Sequence, residues 1–182
     1  MEPAVVLPLL LAALVALVLA LFLRRASGVL RATRRVERFQ EDAAALGAHL
    51  DALLEATITQ VDAMRRGATD GAAIGGALDS AAESLDQAMA QAAALEAPPA
   101  LLPAREAIVA DIAHAGRALD MVRHGCALAA GPRARSRSME AQISVKRGYL
   151  NLLHAREALA RHVADLAEAR DVAQAAWRTF RA

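Results

Sequence analysis

A run of about 20 uncharged, mostly apolar residues, AVVLPLLLAALVALVLALFL at positions 4–23, constrains this chain before anything else does. At ~1.5 Å of rise per helical residue it matches the ~30 Å hydrocarbon core of a bilayer, so it reads as a single transmembrane helix behind a short extracytoplasmic stretch, residues 1–3. Pro8 falls in the first turns, where a lost backbone hydrogen bond matters least. A cleaved signal peptide would want basic residues ahead of a shorter apolar run, whereas here Glu2 precedes it and no lysine or arginine does. Arg24, Arg25, Arg31, Arg34, Arg35 and Arg38 follow at once, opposed only by Glu37. By the positive-inside rule this flank is cytoplasmic, which sets the expectation of an inner-membrane, single-pass protein with its amino terminus outside and residues 24–182 inside. The same arginines are candidate contacts to anionic headgroups, so the lipid bilayer is the first expected partner.

The remainder reads as all-α. Of 182 residues 56% are hydrophobic but only 3% aromatic, an alanine-rich balance that suits helices, and no segment alternates with a period of two. The six prolines stand at 3, 8, 98, 99, 103 and 132, leaving long uninterrupted stretches between them. Val36, Phe39, Ala43, Leu46, Leu50, Leu53, Thr57, Val61 and Met64 recur by threes and fours, which predicts one long helix over about 29–66 that continues from the membrane span and ends near Gly67. A second helix, about 70–96, is expected behind a Thr69 or Asp70 cap, with Ile74, Leu78, Ala81, Leu85, Ala88 or Met89, Ala92 and Leu95 on one face. Pro98 and Pro99 end it, and Pro103 suits the first turn of a third helix, 103–130, with Ile108, Val109, Ile112, Leu119 and Val122 as core candidates.

After the polar linker GPRARSRS, Ser138 is the expected cap of a fourth helix, 138–181. There Val145, Leu152, Leu159, Leu166, Ala173 and Phe180 repeat every seven residues beside a second row of Tyr149, Arg156, Val163, Arg170 and Trp177. Short connections predict an antiparallel up-down four-helix bundle, with long first and last helices of ~65 Å and a hairpin of ~40 Å helices docked on the end far from the bilayer. Trp177, Phe180 and Arg181 would then return to the membrane interface, and Glu168 and Asp171 would lie level with Arg34, Arg35 and Arg38.

The net charge is only +1, yet the signs are segregated. Between residues 67 and 104 there are acids and no bases, while Arg65, Arg66, Arg133, Arg135, Arg137, Lys146 and Arg147 all map to the distal tip. A basic tip invites an acidic partner, but the absence of interleaved aromatics or a reading motif argues against nucleic acid. For metals, a bundle site needs a carboxylate three residues before a histidine on two helices; Asp111 with His114 matches, whereas the fourth helix offers Asn151 with His154. No metal, cofactor or catalytic residue is therefore expected. The single cysteine, Cys126, excludes an intramolecular disulfide. VKRGYLNLLHARE, residues 145–157, holds the only lysine, tyrosine and asparagine, but on a seven-residue repeat these point in different directions. Tyr149 faces the seam with Gly148 permitting close helix approach beneath it, while Arg147, His154 and Arg161 line an outer face.

The layout of one amino-terminal anchor and long alanine-rich helices resembles that of LemA-type proteins and, more loosely, the stalk b subunit of rotary ATP synthases. TQVDAMRR at 59–66 is similar to a LemA stretch, although GATDGAAIGG stands where that family has an apolar segment with proline. The resemblance implies architecture and carries over no functional residue. The expectation for function is a non-catalytic scaffold or adaptor that self-associates or docks another helical protein at the membrane. The alternative is a sensing bundle that takes a small anionic ligand or a metal between its helices.

Overall fold

In the computed structural model, backbone is described for residues 3–131 and 134–181, and side chains for residues 32–131 and 135–171. Among the described residues the chain is all-α with no strand: α1 (Pro3–Arg65), α2 (Gly75–Ala94), a 3-10 turn (Pro99–Leu101), α3 (Leu102–Ala130) and α4 (Ala134–Arg181). The described residues contain no helix long and apolar enough to cross a membrane. The predicted span at 4–23 lies outside the residues whose side chains are described, as do Ala173, Trp177 and Phe180.

Each helix boundary has a local cause. Gly67, at φ 73°, is the one described residue that takes up a left-handed backbone. The Ala68 amide donates to the Ala63 carbonyl at 2.9 Å and the Gly67 amide to that of Met64 at 3.0 Å, the paired bonds of a Schellman terminus. The second helix starts later than the Thr69 or Asp70 cap predicts. Asp70 instead holds a turn, its carbonyl accepting from the Ala73 amide at 3.1 Å and its carboxylate from Ala72 at 3.4 Å. The glycines at 71, 75 and 76 make helix costly in this stretch, and α2 begins only at Gly75, without a side-chain cap. α4 likewise begins at Ala134 rather than at Ser138, because nothing in ARSRS interrupts a helix once Pro132 is passed.

The buried face of α1 comprises Phe39, Ala43, Leu46, Leu50, Leu54, Thr57, Ile58 and Val61. Leu54 and Ile58 are more deeply buried than the predicted Leu53, since α1 packs on two neighbours, α4 and α2, and so needs a broad apolar face rather than a single seam. Ile74, just before α2, is buried, and α2 contributes Leu78, Ala81, Leu85, Ala88 and Ala92; α3 contributes Ile108, Ile112, Ala115, Ala118, Leu119 and Val122. On α4 the buried positions are Ala141, Val145, Gly148, Leu152, Ala155, Leu159 and Leu166. The row of Tyr149, Arg156, Val163 and Arg170 is only half buried. Partners run in opposite directions along each pair: Asp51 meets Arg156 and Gln40 meets Leu166, Gly125 meets Val145 and Gly148 meets Val122, Asp79 meets Arg123 and Leu95 meets Arg105.

The tightest seam joins α3 to α4. A Cβ on Gly148 would lie 2.7 Å from the Ala118 carbonyl oxygen and 2.6 Å from a Val122 methyl. A Cβ on Gly125 would meet the Ala141 carbonyl oxygen at 2.9 Å and a Val145 methyl at 2.6 Å. Each helix thus places a glycine against the other's backbone, which only a residue without a side chain allows. Gly47 of α1 approaches α4 differently, facing only the Val163 side chain, at 2.6 Å from a built Cβ.

Replacing Gly148 by Ala should therefore cost about 1–2 kcal/mol in urea unfolding followed by circular dichroism, overpacking outweighing the gain in helix propensity. Gly116→Ala, where no atom lies within 4 Å of the built Cβ, should instead stabilise the same fold by about 0.5–1 kcal/mol. Equal effects at the two sites would contradict the close seam.

Candidate functional site

Polar chemistry inside the bundle is sparse and satisfied. Gln40 and Thr57 are the buried polar side chains among the described residues. Gln40 Nε2 donates to the Leu166 carbonyl at 3.2 Å, and the Thr57 hydroxyl donates to that of Leu53 at 2.8 Å. No described buried side-chain nitrogen or oxygen lacks a partner. Charge is instead arranged along the seams. Arg156 of α4 reaches across to α1, donating to Asp51 at 2.6 and 3.3 Å and to Glu55 at 3.2 Å. The guanidinium hydrogen bond is the main reason that the Asp51 carboxyl lies below its ordinary pKa, with burial opposing it. The same contact raises the pKa of Arg156.

Asp111, whose side chain is 18% exposed, meets His162 Nδ1 at 2.8 Å. The partner of Asp111 thus comes from α4, and no group of three or more potential metal ligands is found among the described residues. At the end of the described region farthest from the Gly67 turn, Arg170 pairs with Glu41 at 3.4 Å. That is the α1–α4 ion pair found at the level where Glu168 and Asp171 were expected to meet Arg34, Arg35 and Arg38.

Arg34, Arg35 and Arg38 are exposed, and the last two line a cleft of about 420 Å³ with Asp42 and Glu96, which shows that the α2–α3 hairpin reaches down to this level. Arg24, Arg25, Arg31, Trp177, Phe180 and Arg181 lie outside the described side chains.

The basic tip divides into three groups. Arg66 pairs with Asp62 at 3.1 Å, and Arg137 with Glu140 at 2.9 Å. That contact raises the Arg137 pKa and lowers that of Glu140, the hydrogen bond being the main cause in each. Arg147 is exposed, and Arg133 lies outside the described residues. Arg65, Arg135 and Lys146 converge on one cleft of about 850 Å³ between the α1–α2 connection and the first turns of α4.

Arg65 is fixed there by Asp62 at 3.2 Å and by the Tyr149 ring, whose centroid lies 4.3 Å from the guanidinium carbon. The inward contact expected of Tyr149 is thus a cation–π contact. The close approach at Gly148 is made to α3, about 100° around the helix from Tyr149.

In the linear pattern several cleft residues read as helix caps or not at all, and nothing there groups them as a site. Thr69, Asp70 and Gly71 come from a connection whose turn geometry cannot be read from periodicity, while Ser138 and Gln142 share with Lys146 one side of α4. Spacing by fours from 138 to 146 could have grouped those three. Cys126 also lines this cleft, its thiol 3.5 Å from the Met64 sulfur, and burial pushes its pKa up.

Asp51 gives a test of the α1–α4 seam. Because its folded-state pKa is depressed, its contribution is present above the unfolded value of ~3.9 and is lost as pH falls through the lower folded value. Asp51→Asn should lower stability at pH 7 by no more than about 1 kcal/mol, the size expected of a largely exposed pair. That difference should shrink in thermal melts as the pH is lowered progressively below about 3.9. A deficit that does not shrink would assign the effect to packing. No protein-family model, curated protein or solved structure matches this chain.

Proposed function

We propose that this chain is a single-pass, inner-membrane-anchored scaffold or adaptor, non-catalytic, whose cytoplasmic up-down bundle self-associates or docks a helical partner. Residues 4–23 are the anchor in this reading, and α1 and α4 carry the α2–α3 hairpin, whose near end reaches the level of Arg35 and Arg38, so the two-helix stalk is shorter than the sequence suggests. The observation that carries it is an apolar row on the outer side of α4. Met139, Ile143 and Leu150 are 74%, 46% and 42% exposed, and they lie within about 40° of one another around the helix. Large apolar side chains aligned on one face away from the core mark a protein contact.

Charge favours a second copy as the occupant. Lys146, Arg147 and His154 flank the row on α4, whereas Glu83 and Asp86 stand exposed on α2 in a region that has acids and no base between residues 67 and 104. The basic, apolar face of one molecule complements the acidic face of another. Such a contact joins unlike surfaces and so builds rings or open arrays rather than a two-fold dimer.

Photo-crosslinking from Ile143 and Leu150 in native membranes should give discrete adducts of multiples of the chain mass. Ile143→Lys with Leu150→Lys should abolish them, and Glu83→Lys with Asp86→Lys should weaken them at low salt. A discrete adduct with a different protein would replace the second copy by a partner, and recovery of only nonspecific products would count against the scaffold. Amino-terminal sequencing of the mature protein tests the anchor: loss of the stretch from Met1 to about Ser27 would overturn it.

A further inference from the structure

The 850 Å³ cleft at the distal end has a composition that the docking face does not account for. Its size is that of a small-molecule site, and its lining has two chemical halves. Met64, Cys126, Ala129 and Val145 supply apolar surface, while Arg65, Arg135 and Lys146 bring positive charge from two different helices. Among the described residues neither Arg135 nor Lys146 has an ion-pair partner. Asp70 is the one carboxylate in the lining, and it is engaged by the Ala72 amide at 3.4 Å. Thr69, Ser138 and Gln142 add neutral hydrogen-bonding groups on the same lining.

We infer that this cleft binds a small amphipathic anion, a carboxylate or comparable acid on an apolar body. The acid is held by Arg135 and Lys146, and the body lies against Met64, Cys126, Ala129 and Val145. Inorganic anions fit the cationic half alone and leave the apolar half wet. Neutral apolar molecules leave the cations uncompensated. The ligand bridges the α1–α2 connection to α4, beside the Arg65–Tyr149 contact that joins the end of α1 to α4. The inference concerns a concave site between helices rather than the exposed row; of the residues named, the two share only Lys146, so Arg135→Glu tests the cleft apart from the docking face.

Cys126, the chain's single cysteine, lines the cleft and so reports its occupancy directly. The experiment measures alkylation of Cys126 by N-ethylmaleimide in the full chain, held in zwitterionic nanodiscs and read by mass spectrometry. The additions are 4-phenylbutyrate, its neutral amide or inorganic phosphate, each at the same concentration. Saturating 4-phenylbutyrate should slow alkylation at least fivefold, while the amide and phosphate should leave it within twofold of the unliganded rate.

Arg135→Glu and Lys146→Glu should each abolish the protection without changing the unliganded rate, which separates loss of binding from unfolding. Arg135→Gln and Lys146→Gln serve where a reversal disturbs the fold. Four results would overturn the inference: no protection by 4-phenylbutyrate, equal protection by its amide, equal protection by phosphate, or protection that survives the substitutions. Protection by anionic vesicles but not by free 4-phenylbutyrate would also overturn it, since it would make the ligand a membrane lipid.

Discussion

The bundle depends on how closely α3 and α4 can approach. Gly125 and Gly148 each bring the opposing helix's backbone to within van der Waals distance of their own, and Ala118 and Ala141 lie opposite them. Contact between backbones removes the room that larger core residues would otherwise have to fill. An alanine-rich sequence with few aromatics can then still reach interior packing density. Phe39, Leu50, Leu54, Ile112, Leu119 and Leu152 are among the largest fully buried side chains. They close the space between this tight pair and the other two helices.

α1 is joined to α4 by other means. Gly47 faces a valine side chain rather than backbone, and the register is carried by polar clasps: Gln40 on the Leu166 carbonyl, Arg156 on Asp51 and Glu55, Arg170 on Glu41. Each exposed pair is worth little in stability, but the set is specific in position. The molecule therefore combines one seam fixed by shape with another fixed by charge. At the distal end the second seam opens into the cleft, where Arg65 leans on Tyr149.

Helix content and the buried faces were legible because they follow from spacing alone. Phe39, Ala43, Leu46, Leu50 and Val61 sit where a period of three to four residues puts them, and so do Leu78, Ala81, Leu85 and Ala92. Spacing could not say how many neighbours a helix has, which is why Leu54 and Ile58 are more buried than Leu53. Nor could it say which of several glycines serve packing. Gly125 and Gly148 carry the tightest seam while Gly116, in the same helix as the first, touches nothing. The partner of Asp111 was hidden for a similar reason: His162 becomes its neighbour only once the α3–α4 register is fixed, and that register is set by the glycines. The basic residues of the tip were visible as a cluster, but their division among intrahelical pairs, solvent and one cleft depends on the turn at Gly67 to Ile74.

The reciprocal glycines also govern how such a sequence can change over generations. A substitution at an ordinary core position is absorbed locally by its neighbours. A one-residue insertion or deletion inside α3 or α4 instead turns everything beyond it by about 100°, carrying a glycine off the contact and a side chain into it. Both helices are thereby held to fixed spacing between their small residues, 118 to 125 on one and 141 to 148 on the other. Changes in chain length are left to the connection between them and to the loop that ends α1.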